Sequence, residues 1–489
     1  MTGGPVASVA AIDLGASSGR VVLARFNTRG LDRPGGVELT DVSRFPNQPV
    51  RVSGRLHWDV LALFRGMIDG LLDAERTFGY LDGVGVDGWA VDYGLLDADG
   101  QLLGNPRSYR QPDTDDAVDR VRQSLGEASF FAATGITLRP FNTIFQLLAR
   151  RGSPQQQLAR HALLIPDLMS YWLSGELGTE VTNASTTGLL SAATRDWAAG
   201  TNERLGAPVH LFPGLRAPGT RLGPMLASHG LARQPAVITV PSHDTAAAVA
   251  GIPAADEEVA FVCTGTWALV GVQLTQPCMT EPARLAGFTN ELGVDGTVRF
   301  LRNVTGFWLL QECLRRWQAE GLRVDVGQLT GAAAEVTGSR PVIDVESPLL
   351  AASGDMPGLV RAAAEQVDGS SLDTPAAVVR CILDSVAAAI GCAVREAIAL
   401  SGNTVRVVHL VGGGVATPLF CQLVADACQL PVEAGPVEAA AWGNAVFQAR
   451  ALGIVSESLH DNRALIRLHA PPVRYEARVT GRLVPAGRL

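Results

Sequence analysis

A chain of 489 residues is longer than a single hydrophobic core usually serves, so at least two domains are expected. Its 47% apolar and 18% charged content excludes a disordered chain, and a net charge of −8 offers no basic field to nucleic acid or an anionic membrane. All 40 basic residues are arginine, which excludes a Walker lysine and the Schiff-base, pyridoxal and protein-kinase mechanisms that need a lysine amine.

Apolar runs at 9–14 and 21–26 predict two strands, and the turn between them carries Asp13, Gly15, Ser17, Ser18, Gly19 and Arg20. Gly15 and Gly19 permit close backbone approach, so several N–H groups can face one anion while the hydroxyls donate to it. A carboxylate beside phosphate needs an intervening cation, and Mg²⁺ held by Asp13 and water would supply one. A glycine-rich hairpin without a ligand has the same composition, so this turn alone leaves both readings open. Helices are predicted at 59–75, 114–125, 142–150 and 166–174, and strands at 83–86 and 91–96. The segment 83–94 holds Asp87, Gly88, Trp89, Asp92 and Tyr93. That mixture of polar groups and apolar faces suits a carbohydrate site, and an amphipathic strand would also show it.

A strand at 236–240 leads to Ser242-His243-Asp244-Thr245, ahead of an alanine-rich helical run. Asp244 there can cap the helix or, in phosphoryl transfer to an alcohol, act as general base. Residues 259–274 echo the opening hairpin, with strands at 259–263 and 268–274 around Thr264-Gly265-Thr266. The echo suggests two related domains with a nucleotide held between them, divided near the loop-like stretch 251–258. Segments 287–291 and 301–311 place Asn290, Glu291, Asn303, Thr305 and Gln311 around a helix start, with Asn303 or Thr305 as its cap. A strand at 298–301 and a helix at 307–319 complete this part. The most apolar run, near 385–400, is interrupted by Arg395 and Glu396 and reads as a buried helix within 375–401. Last come a strand at 405–411, Gly412-Gly413-Gly414, and a helix at 418–427. The seven cysteines are odd in number and lack a C-x-x-C, so neither a zinc site nor a disulfide framework is indicated; Cys421 and Cys428 read as buried thiols on one helix face. Residues 1–20 lack signal-peptide features, and a cytoplasmic protein is expected.

Several segments together resemble the FGGY family of carbohydrate kinases in the actin-like ATPase superfamily. They are Asp13-Leu-Gly-Ala-Ser-Ser-Gly-Arg20, Trp89-Ala-Val-Asp-Tyr-Gly-Leu-Leu-Asp97, Arg139-Pro-Phe-Asn142-Thr, Ile165-Pro-Asp-Leu, Asn183-Ala-Ser-Thr-Thr, Ser242-His-Asp-Thr, Gly265-Thr-Trp, Ala425-Asp-Ala-Cys and Ala434-Gly-Pro-Val-Glu-Ala. The Ser242-His-Asp-Thr element is most similar to the branch acting on L-rhamnulose. The resemblance implies an α/β fold of two actin-like ATPase (ribonuclease H-like) domains flanking an interdomain catalytic cleft. Residues 1–250 would carry the sugar site and the base, and 251–489 the nucleotide site. It implies transfer of the γ-phosphoryl group of ATP to the 1-hydroxyl of L-rhamnulose or a close ketose such as L-fuculose.

By position, the resemblance makes Asp244 the base and brings Asp13 to Mg²⁺ through water. Ala16, Ser17, Ser18, Gly19 and Arg20 would line the phosphates of ATP, with Gly265, Thr266, Gln311, Gly413 and Gly414 completing the nucleotide site. Gly88, Trp89, His243, Thr245 and Asn303 would contact the sugar. Three positions depart from the family pattern: Thr417 replaces an Asn, Leu292 a Gly, and Gly88 a Thr or Ser. The partners implied are a small sugar and ATP, without nucleic acid or membrane, for a monomer or homodimer. A noncatalytic sugar or nucleotide sensor, and an ATPase acting on a protein client, are the readings from other classes. A sensor need not keep Asp13, Arg20 and Asp244 together.

Overall fold

The computed structural model describes residues 6–322, 325–338, 340–350 and 354–478. They form two compact α/β units. The first holds the described residues through 255 together with Leu274–Phe300 and Ala439–Ala470. The second holds Asp256–Gln273, Leu301–Glu438 and the described residues from 471 onward. The passage from Ala255 to Asp256 falls inside the loop-like stretch 251–258.

In the first unit, Val6–Leu14, Ser18–Asn27 and Val37–Pro46 form an antiparallel meander. Gly83–Gly88 joins parallel to Val6–Leu14, Ala236–Ile238 joins parallel to that strand, and Arg221–Pro224 runs antiparallel at the edge. Alternation along Val6–Leu14 fills both faces. Ala10, Ile12 and Leu14 pack with the helix Val60–Phe78 through Leu63, Met67 and Leu71. Val9 and Ala11 face Ala441, Trp442 and Ala445 of the helix Ala439–Ala451. That helix also crosses the short helix Asp244–Ala250 almost backbone to backbone: a Cβ on Gly443 would lie 1.9 Å from the Ala247 carbonyl oxygen, and one on Gly251 2.0 Å from that of Ala439.

The second unit repeats the order. Ala260–Thr264 and Trp267–Leu274 are antiparallel, Val408–Gly412 and Val432–Ala434 follow in parallel, and Val473–Tyr475 closes antiparallel. Val298–Thr305 lies on the other side of Trp267–Leu274, as Val37–Pro46 does beside Ser18–Asn27. The hairpin echo in the sequence therefore marks a repeated sheet topology. The helix Pro375–Ser401 is long and apolar enough to span a membrane by length and composition; 78% of its apolar window is buried against protein, where it packs with Pro418–Cys428, Val326–Ala334 and Met356–Asp368. Cys421 and Cys428 are buried on Pro418–Cys428, and burial pushes their thiols up to about 11 and about 12.

Two local expectations are corrected. Residues 287–291 do not start a helix: Asn290 and Glu291 lie in the strand Thr289–Leu292. Neither Asn303 nor Thr305 caps the following helix, because the strand Val298–Thr305 contains both and the N-cap of Trp308–Ala319 is Phe307.

Candidate active site

The strand register gathers three carboxylates. Asp13 is opposite Arg20 in the antiparallel pair and opposite Asp87 in the parallel one, and Gly88 bridges to His243. Asp13, Asp87 and Asp244 thus meet at the carboxyl ends of parallel strands, the end at which open α/β sheets bind ligands. Arg20 donates from Nε and Nη2 to Asp13 Oδ2 at 3.0 and 2.7 Å. Asp87 is fully buried; Asn444 Nδ2 donates to its Oδ2 at 2.6 Å, while Oδ1 has no hydrogen-bond partner among the described residues. Burial, then the negative charges of Asp13 and Asp244, push the Asp87 carboxyl well above the usual carboxylate range.

The turn after Val6–Leu14 is braced by a residue that its own sequence does not announce. Gly15 N–H donates to Ser18 O at 2.9 Å, Asn47 Nδ2 to Gly15 O at 2.7 Å and Asn47 N–H to Ser17 O at 3.1 Å. Ala16 is half-buried, and Ser17 and Ser18 are exposed. Gly19 answers a packing demand, since a Cβ there would lie 2.2 Å from the Phe45 ring.

Asp244 opens the helix Asp244–Ala250, but His243 occupies the N-cap, so the capping role is not its own. The preceding residues are clamped by Glu180. Its buried carboxylate accepts from Thr182 N–H and Oγ1, Asn183 N–H, and Ser242 N–H and Oγ, at 2.6–3.1 Å. Two donors and one close nitrogen address one oxygen of Asp244. Thr245 N–H and Oγ1 reach Oδ1 at 2.6 and 3.1 Å, and His243 Nε2 stands 3.3 Å from it. None among the described residues addresses Oδ2, and 35% of the side chain is open to solvent. Burial raises the Asp244 carboxyl, His243 opposes the rise and Asp13 adds to it. A carboxylate so held has one oxygen anchored and one available as a proton acceptor.

Of the residues expected to contact sugar, Gly88, Trp89, His243 and Thr245 fall in this unit and border the carboxylates. Gly88 N–H donates to Ser242 O at 2.9 Å, and a Cβ at residue 88 would lie 2.9 Å from Leu14 O, so a Thr or Ser would need the backbone to shift. Trp89 is buried, and its indole packs against that of Trp58 at a 4.6 Å centroid distance with the rings tilted by 46°. Asp92 serves these rings and not the carboxylate cluster. It accepts from Trp58 Nε1 at 2.5 Å, Trp89 Nε1 at 3.0 Å, Tyr109 N–H at 3.1 Å and Gln146 Nε2 at 3.0 Å. Burial still lifts it to about 6. Leu292, the second departure, buries its side chain, and its carbonyl accepts from Arg299 Nε and Nη2 at 3.3 and 3.2 Å.

In the second unit, the Gly265-Thr266 turn is tied to the helix Trp308–Ala319. Phe307 N–H donates to Gly265 O at 3.0 Å, Trp308 N–H to Thr266 O at 3.2 Å, and Thr266 Oγ1 to Gln311 Oε1 at 3.4 Å. The three glycines divide their tasks. Gly412 has φ of 87° and a Cβ there would meet Thr264 O at 2.3 Å; Gly414 packs on Thr264, Phe307 and Phe420 and donates its N–H to Thr264 Oγ1 at 2.9 Å. Only Gly413 is exposed, with open space at its Cβ position. Asn303 is half-buried on its strand, and Thr417 begins the next helix without a side-chain cap bond.

Several residues that build the site lie outside the motifs the sequence singled out. Asn47, Trp58, Glu180, Arg299 and Asn444 each act across a long sequence separation, and only their types, buried polar or aromatic, could have drawn attention. Comparison with known proteins accords with this architecture. Residues 9–251 match the N-terminal domain, and 260–452 the C-terminal domain, of the FGGY family of carbohydrate kinases. The chain is 38% identical over 475 residues to a rhamnulokinase of Pectobacterium carotovorum subsp. carotovorum, covering 97% of this chain and 94% of that one. A rhamnulokinase of Yersinia pestis (strain Pestoides F) is 37% identical over 93% of this chain and 92% of its own. Among solved structures, a ligand-bound xylulose kinase from Lactobacillus acidophilus has a TM-score of 0.78 at 15% identity, covering 96% of this chain and 94% of that one. Plasmodium falciparum glycerol kinase with ADP reaches 0.75 at 15%, covering 97% and 95%. The chain belongs to the FGGY family of carbohydrate kinases.

Proposed function

We propose that the chain transfers the γ-phosphoryl group of ATP to the 1-hydroxyl of L-rhamnulose or a close ketose such as L-fuculose, giving the ketose 1-phosphate. The coarser activity, ATP-dependent phosphorylation of a carbohydrate, comes with the family. The choice of ketose is supported by the Ser242-His243-Asp244-Thr245 element and by the 38% identity to a rhamnulokinase. The observation that carries the mechanism is the asymmetry of Asp244, with Oδ1 held by two Thr245 donors beside His243 Nε2 and Oδ2 left open. In this reading Oδ2 takes the O1 proton as O1 attacks the γ-phosphorus, ADP leaves with the bridging oxygen, and Asp244 later releases the proton to solvent.

Gly88, Trp89, His243, Thr245 and Asn303 would hold the sugar. The turn Ala16 to Arg20 would face the β- and γ-phosphates, and Gly265, Thr266, Gln311, Gly413 and Gly414 the rest of the nucleotide. Among the described residues no group of three or more His, Cys, Asp or Glu is set to hold a metal ion by itself. The convergent carboxylates, with the unpartnered Oδ1 of Asp87 among them, instead fit a hydrated Mg²⁺ arriving on ATP, which Asp13 would approach through water. When bound, that ion offsets charge on the phosphate oxygens. With no lysine in the chain, Arg20 and backbone N–H groups supply the remaining positive field.

Coupled ADP release across a panel of ketoses tests the proposal. Turnover highest on L-rhamnulose or L-fuculose supports it. Silence on every sugar favours a sensor, and hydrolysis of ATP at full rate without sugar favours an ATPase with a protein client.

A further inference from the structure

A buried polar chain runs away from Asp244 into the first unit. The hairpin of Thr289–Leu292 and Val298–Thr305, closed by the turn Val294–Gly296, carries Glu291 and Arg299 to His243. Arg299 is fully buried. Its Nη1 is 3.1 Å from His243 Nδ1 and 3.0 Å from Glu291 Oε2, and its other nitrogens donate to the carbonyls of Leu292 and Thr182. Glu291 Oε2 is 3.3 Å from the same Nδ1.

Of these two neighbours of Nδ1, Arg299 Nη1 meets it in hydrogen-bond geometry, whereas Glu291 Oε2 has no hydrogen-bond partner among the described residues; a guanidinium can only donate, so Nδ1 acts as acceptor. That leaves the imidazole proton on Nε2, the nitrogen 3.3 Å from Asp244 Oδ1. Glu291 supplies the negative charge that a fully buried guanidinium requires. Burial works to raise its carboxyl, yet the charge of Arg299 outweighs burial and brings it below the usual range.

We propose that Glu291 and Arg299 are positioning residues for phosphoryl transfer: they hold His243 as the Nε2–H tautomer, so that a proton and not a lone pair faces Asp244 Oδ1, beside the two Thr245 donors, and Oδ2 is left to meet the sugar hydroxyl. This rests on Asp244 being the base. The two residues touch neither reacting atom and act through the ring of His243. The glutamine at 243 in a His243→Gln variant keeps a donor near the place of Nε2 and has no tautomer to control, which makes the proposal testable by a double-mutant cycle.

In the full-length enzyme, Glu291→Gln and Arg299→Lys should each lower kcat about 10- to 100-fold, the scale of a reacting group misplaced by a fraction of an ångström to one ångström, with KM for ATP within about twofold. Added to His243→Gln, neither should lower kcat further. Full multiplication of the losses, or effects confined to KM, would overturn the proposal. Two-bond ¹⁵N correlation spectra of histidine-labelled wild-type protein give a readout independent of activity and of variant folding. The His243 signal is expected with Nε2 protonated and Nδ1 bare; protonated Nδ1, in either the neutral ring or the imidazolium, refutes the assignment. If no ketose is turned over, the functional reading fails, while the spectrum still decides the tautomer.

Discussion

Replacing Gly443 by alanine would place a methyl group 1.9 Å from the carbonyl oxygen of Ala247. Real contacts of that kind do not fall below 3.0 Å, so the crossing of Ala439–Ala451 with Asp244–Ala250 must open by more than an ångström. The obstacle is backbone, and the same carbonyl accepts the helix's closing bond from Gly251 N–H at 2.9 Å, so no side chain can rotate away. Asp244 lies one turn before Ala247 on a rigid seven-residue helix and would move with it. Overpacking of this kind costs about 1–3 kcal/mol, which for a unit of this size lowers Tm by roughly 2–10 °C. Displacing a reacting group by about 1 Å costs roughly 10²-fold in kcat. KM for ATP should change little. The assay pairs ADP release on the best ketose with calorimetric Tm, using Gly200→Ala as the control, since a Cβ there meets nothing within 4 Å. A Gly443→Ala enzyme with wild-type kcat and Tm would refute the claim that this helix crossing positions the base.

Asp244→Asn should lower kcat by roughly 10²–10⁴-fold while ATP binding, measured by calorimetric titration, stays intact; turnover at roughly a tenth of wild type counts against the base assignment. Arg20→Ala removes two donors from Asp13, and should depress kcat more than ATP affinity; equal losses in both would mean that Arg20 is only a binding contact. Because folding raises Asp92 from 3.8 to about 6, the folded state favours its protonated form. The associated stability is full below pH 3.8 and lost as pH rises through 6, so wild type should lose stability relative to Asp92→Asn across that window and run parallel to it above. A constant wild-type-minus-variant Tm difference from pH 4 to 7 would show that Asp92 does not titrate this way.

The hairpins at both ends of the repeat and the helix Pro375–Ser401 were legible because their apolar runs are long and bounded by turn residues or caps. Val37–Pro46 was not, since an edge strand with mixed exposure carries no clean alternation. The helix Ala439–Ala451 is buried on nearly all sides, so it has no polar face for a period of 3.6 to reveal. Its Asn444 and Gln448 reach Asp87 and Ala10 from the far end of the chain, which no local spacing announces. The motif residues of the site were visible for a complementary reason: Asp13, Arg20, His243 and Asp244 crowd polar groups into short turns next to apolar strands. Asn303 and Thr305 were visible too, but attached to the wrong element, because an amide or a hydroxyl near a helix reads as a cap until the strand beside it is known.

The Glu180 carboxylate joins two stretches of chain separated by 62 positions through a single set of oxygens. The amides of Thr182, Asn183 and Ser242 share that acceptor, so none can open to solvent without stranding a buried charge against the others. Their hydrogen exchange should therefore be slow and correlated, timed by cooperative unfolding of the first unit. The backbone that leads to the base is in this sense a fixed anvil, and whatever rearranges during turnover must move against it.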